Sequence, residues 1–359
     1  MNICIVLRDI TEKGGGERVC VNLANALSLE HRVRIISYYK SQNSPIYALN
    51  PQVQVEYLER CGERSGGKIG YLFKKIFYRY ILTLKARKSF KQDDIIIAND
   101  RALAQIFKLK DKKYIRIWHL NFPKRKRNLD FFDEVVILSH KEEKKWKQCH
   151  PHISVIPNFL PTFPTKQADS SSKICLSVGR MDRGDQKGFL RLVDIFAKIQ
   201  PKIKDWKLYI VGEGTLKEEI KNKIDTYGLQ DCIFLKPFTP EIQKEYLQAS
   251  LYVMSSHFEG LPLVLLESGS YGLPSVAFDI CAGPSDIIED EKTGFLIEDG
   301  DLEGFASKME ILMQNQELRR DMGQRAKERI QAQFSQEKIL EEWNKLFTQL
   351  QIRNLQSPL

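Results

Sequence analysis

The feature that most constrains this chain is a rhythm of short, wholly apolar runs, each followed by a helix-sized segment. "ICIVL" (3–7), "DDIIIAND" (93–100), "FDEVVILS" (132–139), "KICLSVGR" (173–180) and "LYVMSS" (251–256) are apolar through their centres and do not alternate. Strands of that kind are buried on both faces, which is the signature of a parallel sheet covered by helices. Further strands are expected at 31–39, 114–120, 153–159, 206–214, 232–238, 273–279 and 294–298. Helices are expected after the Gly-rich stretch at 14–16, at 188–199, up to about 226, at 241–250, across 302–335 and at 335–354. The segment "FLPTFPTKQADSSSK" (159–173), with prolines and a serine run, reads as an interdomain linker. The expectation is therefore α/β, with two doubly wound domains: 1–160, then a linker at 161–172, then 173–337. An amphipathic helix at about 338–359 is expected to pack back on the first domain. Open α/β sheets bind ligands at the carboxyl ends of their strands, so two in tandem imply a cleft between them.

Composition excludes several classes. No run reaches the roughly 20 apolar residues of a membrane-spanning helix, and "MNICIVLRDI" reads as a first strand, not a signal peptide. The seven cysteines include no C-x-x-C pair, which points to reduced thiols and not to a disulfide framework or a zinc site. "HPH" (150–152) reads as a loop, so no metal ligand set is assigned. The net charge of +9 is unevenly spread: residues 1–160 carry 30 Lys and Arg against 16 Asp and Glu, the remainder 25 against 30. The first half should face an anionic partner.

Three places carry residues suited to chemistry. Gly14-Gly15-Gly16 stands between the first strand and first helix, where backbone amides and a helix start suit a phosphate; a plain tight turn explains it equally. "VGRMDRGDQKG" (178–188) also joins a strand to a helix. Its Arg180 and Lys187 offer a planar fork and a compact charge for a diphosphate, or are two solvated surface cations. In "SSHFEGLPLVLLES" (255–268), Pro262 suits the first turn of a helix ending near Gly272. Glu259 then lies on the entering loop and Glu267 inside the helix, so the two address different parts of a ligand lying across the helix start. Glu267 follows an apolar run and, if buried, needs donors; the alternative is an exposed stripe of that helix.

Taken together, these motifs make the sequence resemble family 4 of the retaining glycosyltransferases, with the GT-B fold and a Glu-x7-Glu signature. The resemblance rests on "HFEGLPLVLLES", "GGGERVCVNLANAL", "ILSH" (137–140), "VIPNF" (155–159), "SVGRMDRGDQKGF", "YIVGEG" (209–214) and "YGLPSVAFD…GPSDIIEDEKTGFLIEDGD" (271–301), and spans nearly the whole chain in order. It implies a fold of two Rossmann-like domains facing a cleft, and transfer of a hexosyl unit from a nucleotide-diphosphate sugar to a saccharide acceptor. Glu267 would bind the ribose, and Glu259 the transferred sugar beside the amides of Gly260, Leu261, Pro262, Leu263 and Val264. Pro262 can give only its place in that turn, since it has no N–H. Arg180 and Lys187 would neutralise the diphosphate in place of a metal, so no cofactor is expected. Gly15 and Gly16 would approach the phosphates, and His119, in "WHLNF", would stand near sugar and acceptor. Two departures are visible. The Arg180-to-Lys187 spacing is longer than the common form, and Ser268 replaces the usual alanine.

Residues 68–91, "KIGYLFKKIFYRYILTLKARKSFK", hold eight Lys and Arg, no acid, and Tyr71, Phe73, Phe77, Tyr78, Tyr80 and Phe90. With "KRKR" (124–127) they suit an anionic bilayer surface, and a cytoplasmic protein peripheral on the inner face of the cell membrane is expected, acting on a lipid-linked saccharide. No helix-turn-helix or RNA-binding sheet motif is present, so nucleic acid is not expected. A UDP-sugar is favoured over a GDP-sugar. The rival readings are an epimerase or phosphorylase of the same fold, and a non-catalytic subunit of a partner transferase.

Overall fold

The computed structural model describes residues 1–62, 77–99, 102–106, 108–123, 127–182 and 184–356, the last three by backbone alone. The chain divides into two compact units. Unit 1 comprises Met1–Leu138, Glu143–Pro161 and Ile339–Leu359; unit 2 comprises Ser139–Glu142 and Thr162–Lys338.

In unit 1, strands β1 (Asn2–Leu7), β2 (Arg32–Ser37), β3 (Gln54–Tyr57), β4 (Ile95–Asn99), β5 (Lys113–Trp118), β6 (Glu134–Ile137) and β7 (Ile153–Val155) form a parallel sheet in the order β3-β2-β1-β4-β5-β6-β7. Helices α1 (Gly15–Leu27), α2 (Arg79–Ser89) and α3 (Glu143–Lys147) belong to the same unit. Ile3 to Leu7 are fully buried, which is why that run carries no polar residue. β3 went unforeseen because it is a short edge strand, "QVEY", whose residues are half exposed and alternate in polarity.

Unit 2 holds β8 (Ile174–Val178), β9 (Lys207–Val211), β10 (Ile233–Lys236), β11 (Leu251–Met254), β12 (Ser275–Phe278) and β13 (Gly294–Ile297), parallel, in the order β10-β9-β8-β11-β12-β13. Its helices are α4 (Phe189–Ile199), α5 (Lys217–Thr226), α6 (Ile242–Gln248), α7 (Leu263–Ser270), α8 (Pro284–Ile287), α9 (Leu302–Gln314) and α10 (Gln316–Gln333). The helical spacing of Phe189, Leu192, Val193, Phe196 and Ile199 lays one face of α4 on Leu208, Ile210 and Val253 of the sheet.

The segment expected as a linker is not a free tether. Residues 162–172 pack on unit 2: the Ala168 amide donates to the Tyr271 carbonyl at 2.9 Å, and Arg319 Nη2 donates to the Ser170 carbonyl at 2.8 Å. Ser139–Glu142 also group with unit 2, where Asp286 accepts from the Ser139 hydroxyl and the His140 amide. The last helix, α11 (Gln336–Gln356), lies on unit 1 from residue 339 onward. There Asn344 bonds Glu30 and His31, and Arg353 pairs with Glu134 at 3.0 Å.

Each sheet reverses its strand order once, between β1 and β4 in unit 1 and between β8 and β11 in unit 2. Ligands of open α/β sheets bind outside the carboxyl ends at such a switch point. The loops that follow Leu7, Val178 and Met254, and the end of β4 at Asn99, are therefore where a ligand is expected.

Candidate functional site

In unit 2 the loops leaving β8 and β11 are fastened to each other. Gly188 has φ +65°, and a Cβ there would stand 1.9 Å from the Ser255 carbonyl oxygen, so only glycine lets the two backbones meet. The Ser255 hydroxyl donates to the carbonyls of Gly188 (2.8 Å) and Lys187 (3.0 Å). Arg191, in the first turn of α4, donates to the carbonyls of Ser255 (2.6 Å) and Ser256 (2.5 Å), with its guanidinium 4.0 Å from the Phe278 ring centroid. The Asp185 carboxylate caps the same helix, accepting from the amides of Phe189 (2.8 Å) and Leu190 (3.0 Å).

This fastening sets Lys187 Nζ 2.6 Å from Glu259 Oε1, which also accepts the Ser256 hydroxyl at 2.7 Å. Glu259 is buried, and the Lys187 side chain keeps 20% of its surface in solvent. The long spacing after Arg180 is absorbed by turns, in which the Asp185 amide donates to the Asp182 carbonyl and the Gly188 amide to the Asp185 carbonyl. Lys187 thus stands at the switch point. Arg180 does not join it: its side chain is 66% exposed and pairs with Asp182 at 3.3 Å.

α7 begins one residue later than the sequence suggests. Pro262, at ψ 110°, is its N-cap and not a residue of the first turn, and Leu263 is the first helical residue. The amides of Leu263 and Val264 lie in that first turn, where the helix itself supplies no acceptor. Gly260, Leu261 and Pro262 are buried in the entering loop. Glu267 is buried and not on an exposed stripe. Its Oε2 accepts the Tyr246 hydroxyl at 2.8 Å, and the Tyr246 ring stacks on Tyr271 at 5.3 Å between centroids. Burial, reinforced by Glu267 and Glu259, pushes the Tyr252 phenol far above its ordinary range, so it stays neutral beside both carboxylates. The two glutamates therefore have separate partner sets on either side of the α7 start.

In unit 1, Gly15 is the first residue of α1 after the Gly14 N-cap. Among the described residues, a Cβ on Gly15 would meet nothing within 4 Å, and one on Gly16 would meet Asn99 Nδ2, at 3.8 Å. Neither left-handed backbone nor packing among the described residues demands glycine at 15. Asn99 ends β4 at the switch point, is buried, and hydrogen-bonds His119 through Oδ1 and Nε2. Gly16, Asn99 and His119 are thus neighbours.

Tyr246, Ser256, Arg191 and Asn99 escaped the sequence reading. Ser256 stands three residues before Glu259 and was readable as a local partner. Tyr246 is 21 residues from Glu267 and Asn99 is 20 from His119, separations at which only the fold makes neighbours. Among the described residues no group of three or more His, Cys, Asp and Glu is placed to hold a metal ion. In "HPH", the His150 ring lies between the carbonyls of His152 (2.7 Å) and Phe132 (3.1 Å) and braces the turn.

Of the basic-aromatic stretch, 68–76 and 124–126 lie outside the described residues. In the remainder, Phe90 is in the core and Tyr78 donates to Glu59 at 2.7 Å, so neither belongs to an outer face as expected. Phe77, Tyr80, Ile81 and Leu84, at helical spacing, do form an exposed apolar row. No helix among the described residues is long and apolar enough to cross a membrane.

Residues 161–329 match the family of glycosyl transferases group 1. A glycosyltransferase of Haemophilus influenzae, itself uncharacterised, is 29% identical, with 94% of this chain and 97% of that protein covered. The amylovoran biosynthesis glycosyltransferase of Erwinia amylovora is 27% identical over 95% of this chain and 98% of its own length. The chain is a glycosyltransferase. Its fold is GT-B: a mutant of TarM from S. aureus, solved with UDP and α-GlcNAc-glycerol, superposes with a TM-score of 0.81 at 19% identity, covering 96% of this transferase and 99% of that chain. The match of residues 161–329 takes in both fastened loops of this glycosyltransferase, with Lys187, Glu259 and Glu267.

Proposed function

We propose that this glycosyltransferase is a family 4 enzyme that retains anomeric configuration. Its donor is a nucleotide-diphosphate sugar, with UDP as the favoured nucleotide, and its acceptor is a saccharide of a surface glycan. The observation that carries the proposal is the contact of Lys187 with Glu259 at the switch point of unit 2, next to the start of α7. A cation and a carboxylate locked together suit a ligand with a diphosphate at one end and sugar hydroxyls at the other. Lys187 neutralises the diphosphate, helped by the first-turn amides of α7 and by Arg180, whose exposed side chain would exchange its Asp182 contact for the phosphate. Glu259 accepts hydroxyls of the transferred sugar, and Glu267, oriented by Tyr246, accepts those of the ribose. Gly15 and Gly16 let the α1 start approach the phosphates, and His119, held by Asn99, serves the sugar and acceptor.

The reaction needs no side-chain base. The bond from the anomeric carbon to the diphosphate oxygen breaks, the acceptor oxygen bonds to that carbon on the same face, and the acceptor proton passes to the departing diphosphate. Such a site lowers the barrier chiefly by stabilising the charge that develops on the leaving group, and Lys187 is built to do so without a metal. The TarM structure holds UDP and the Erwinia relative is named for amylovoran biosynthesis, which supports this choice of donor and product class. Thermal-shift screening with UDP, GDP and ADP, then NMR of the product's anomeric signal, tests the reading. An inverted anomer, or epimerised donor without transfer, would refute it.

The exposed row Phe77, Tyr80, Ile81 and Leu84 lies among Arg79, Lys85, Arg87 and Lys88, with no acid in α2. It supports peripheral association with the inner, anionic face of a membrane that displays a lipid-linked acceptor. Flotation with anionic liposomes should carry the protein upward at low salt; retention in the soluble fraction would count against it.

A further inference from the structure

Beyond the carboxyl ends of β2 and β3 lies a pocket of about 690 Å³ that the donor site does not use. Lys40, Ser41, Gln42, Asn43, Tyr57 and Arg60 line it, and no carboxylate does among the described residues. Its walls are strand extensions: the amides of Tyr38 and Tyr39 donate to the Leu7 and Arg8 carbonyls, and the Lys40 amide to the Cys61 carbonyl at 3.3 Å. The loop at 41–42 is fixed from beneath. Asp9, fully buried, accepts the Ser41 amide at 2.8 Å and the Thr11 hydroxyl at 2.6 Å, and the Thr11 hydroxyl oxygen accepts the Gln42 amide at 3.0 Å. Lys40 Nζ sits 5.0 Å from the Tyr57 ring centroid. Burial and the nearby Asp9 push the Tyr57 phenol upward, so it remains a neutral donor. Neither Lys40 nor Arg60 makes an ion pair among the described residues.

Two cations, a phenol and two carboxamides around a fixed floor are the chemistry of an anionic saccharide: a sugar bearing a carboxylate or a phosphate. β3 stands two strands from β1, so the pocket lies roughly 10 Å across the sheet from β1, the strand whose following loop leads into Gly15 and Gly16 at the start of α1. We infer that this pocket binds the charged residue of an anionic saccharide acceptor. Only the word acceptor rests on the transferase reading; the binding does not.

The test uses the full chain and saturation-transfer NMR with methyl glucuronide, glucose 6-phosphate and neutral methyl glucoside. The expected result is binding of one or both anions roughly tenfold tighter than the glucoside, the effect of one added charge-assisted contact. That preference should vanish in Lys40→Gln/Arg60→Gln and persist in Lys187→Gln. A response confined to the glucuronide identifies a uronic acid; one confined to the phosphate identifies a phosphorylated sugar. Equal binding of the glucoside, or anion binding lost in Lys187→Gln but kept in the double variant, overturns the inference. A chain that shows the predicted preference but turns over no nucleotide sugar would instead refute the transferase mechanism and leave the pocket standing.

Discussion

Replacing Lys187 by Gln separates a structural from a catalytic role for the ion pair. Nζ and Oε1 are 2.6 Å apart, with the Glu259 side chain 9% exposed and that of Lys187 20% exposed. A hydrogen bond between charged groups contributes about 1.5–3 kcal/mol. Solvent reaches the lysine and Ser256 still donates to Glu259 at 2.7 Å, so the folded state should lose only about 1–2 kcal/mol. Catalysis should lose more. Removing one preorganised group from developing charge costs about 100- to 1,000-fold in kcat, roughly 2.7–4 kcal/mol. Urea denaturation and initial rates of nucleoside diphosphate release, measured on the same preparations, give both numbers. Glu259→Gln and the double variant complete a cycle. If Lys187 only neutralises Glu259, the double variant recovers the rate. On the catalytic reading it remains at least as slow as Lys187→Gln. A kcat within threefold of the parent at saturating donor would refute the assignment of Lys187 to the leaving group.

Further outcomes follow from single contacts. Gly188→Ala and Gly228→Ala both force a side chain to φ +65°, but a Cβ at 228 meets open space while one at 188 strikes the Ser255 carbonyl. The first change should therefore cost clearly more than the roughly 1–2 kcal/mol left-handed penalty, and the second about that amount, by equilibrium unfolding. Tyr246→Phe removes the donor to Glu267 and should weaken nucleoside diphosphate binding about fivefold, roughly 1 kcal/mol, in titration calorimetry. Its preference over the 2′,3′-dideoxy analogue should shrink, whereas a purely structural tyrosine would leave that ratio unchanged. Ile81→Ser with Leu84→Ser breaks the exposed row of α2 without touching buried Leu82 or Ala86, and should reduce liposome flotation severalfold at unchanged stability.

The fold was legible because buried parallel strands are apolar from end to end, as Ile3–Leu7 and Leu251–Met254 are. β3 was not, since an edge strand with half-exposed residues has no such run. The linker segment shows a similar limit: prolines and serines mark irregular backbone, but do not say whether it packs, and here Arg319 and Tyr271 hold it to unit 2. In the site, Glu259, Glu267 and Lys187 were readable because each is tied to a local strand-to-helix motif. Their partners were not. Tyr246 meets Glu267 because α6 and α7 flank one strand, and Asn99 meets His119 because β4 and β5 are adjacent. Arg180 is a motif position whose side chain is exposed and, among the described residues, pairs with Asp182.

In the proposed mechanism the Lys187–Glu259 pair holds and activates a nucleotide-sugar donor. The most direct measurement is nucleoside diphosphate release from UDP-sugars, and then GDP-sugars, by the full chain and its Glu259→Gln variant. The expected result is turnover of at least one donor by the parent, and a loss of about 100-fold or more in a variant that still binds the free diphosphate. Undiminished release by Glu259→Gln would contradict it, as would a parent chain that binds the diphosphate but turns over no donor.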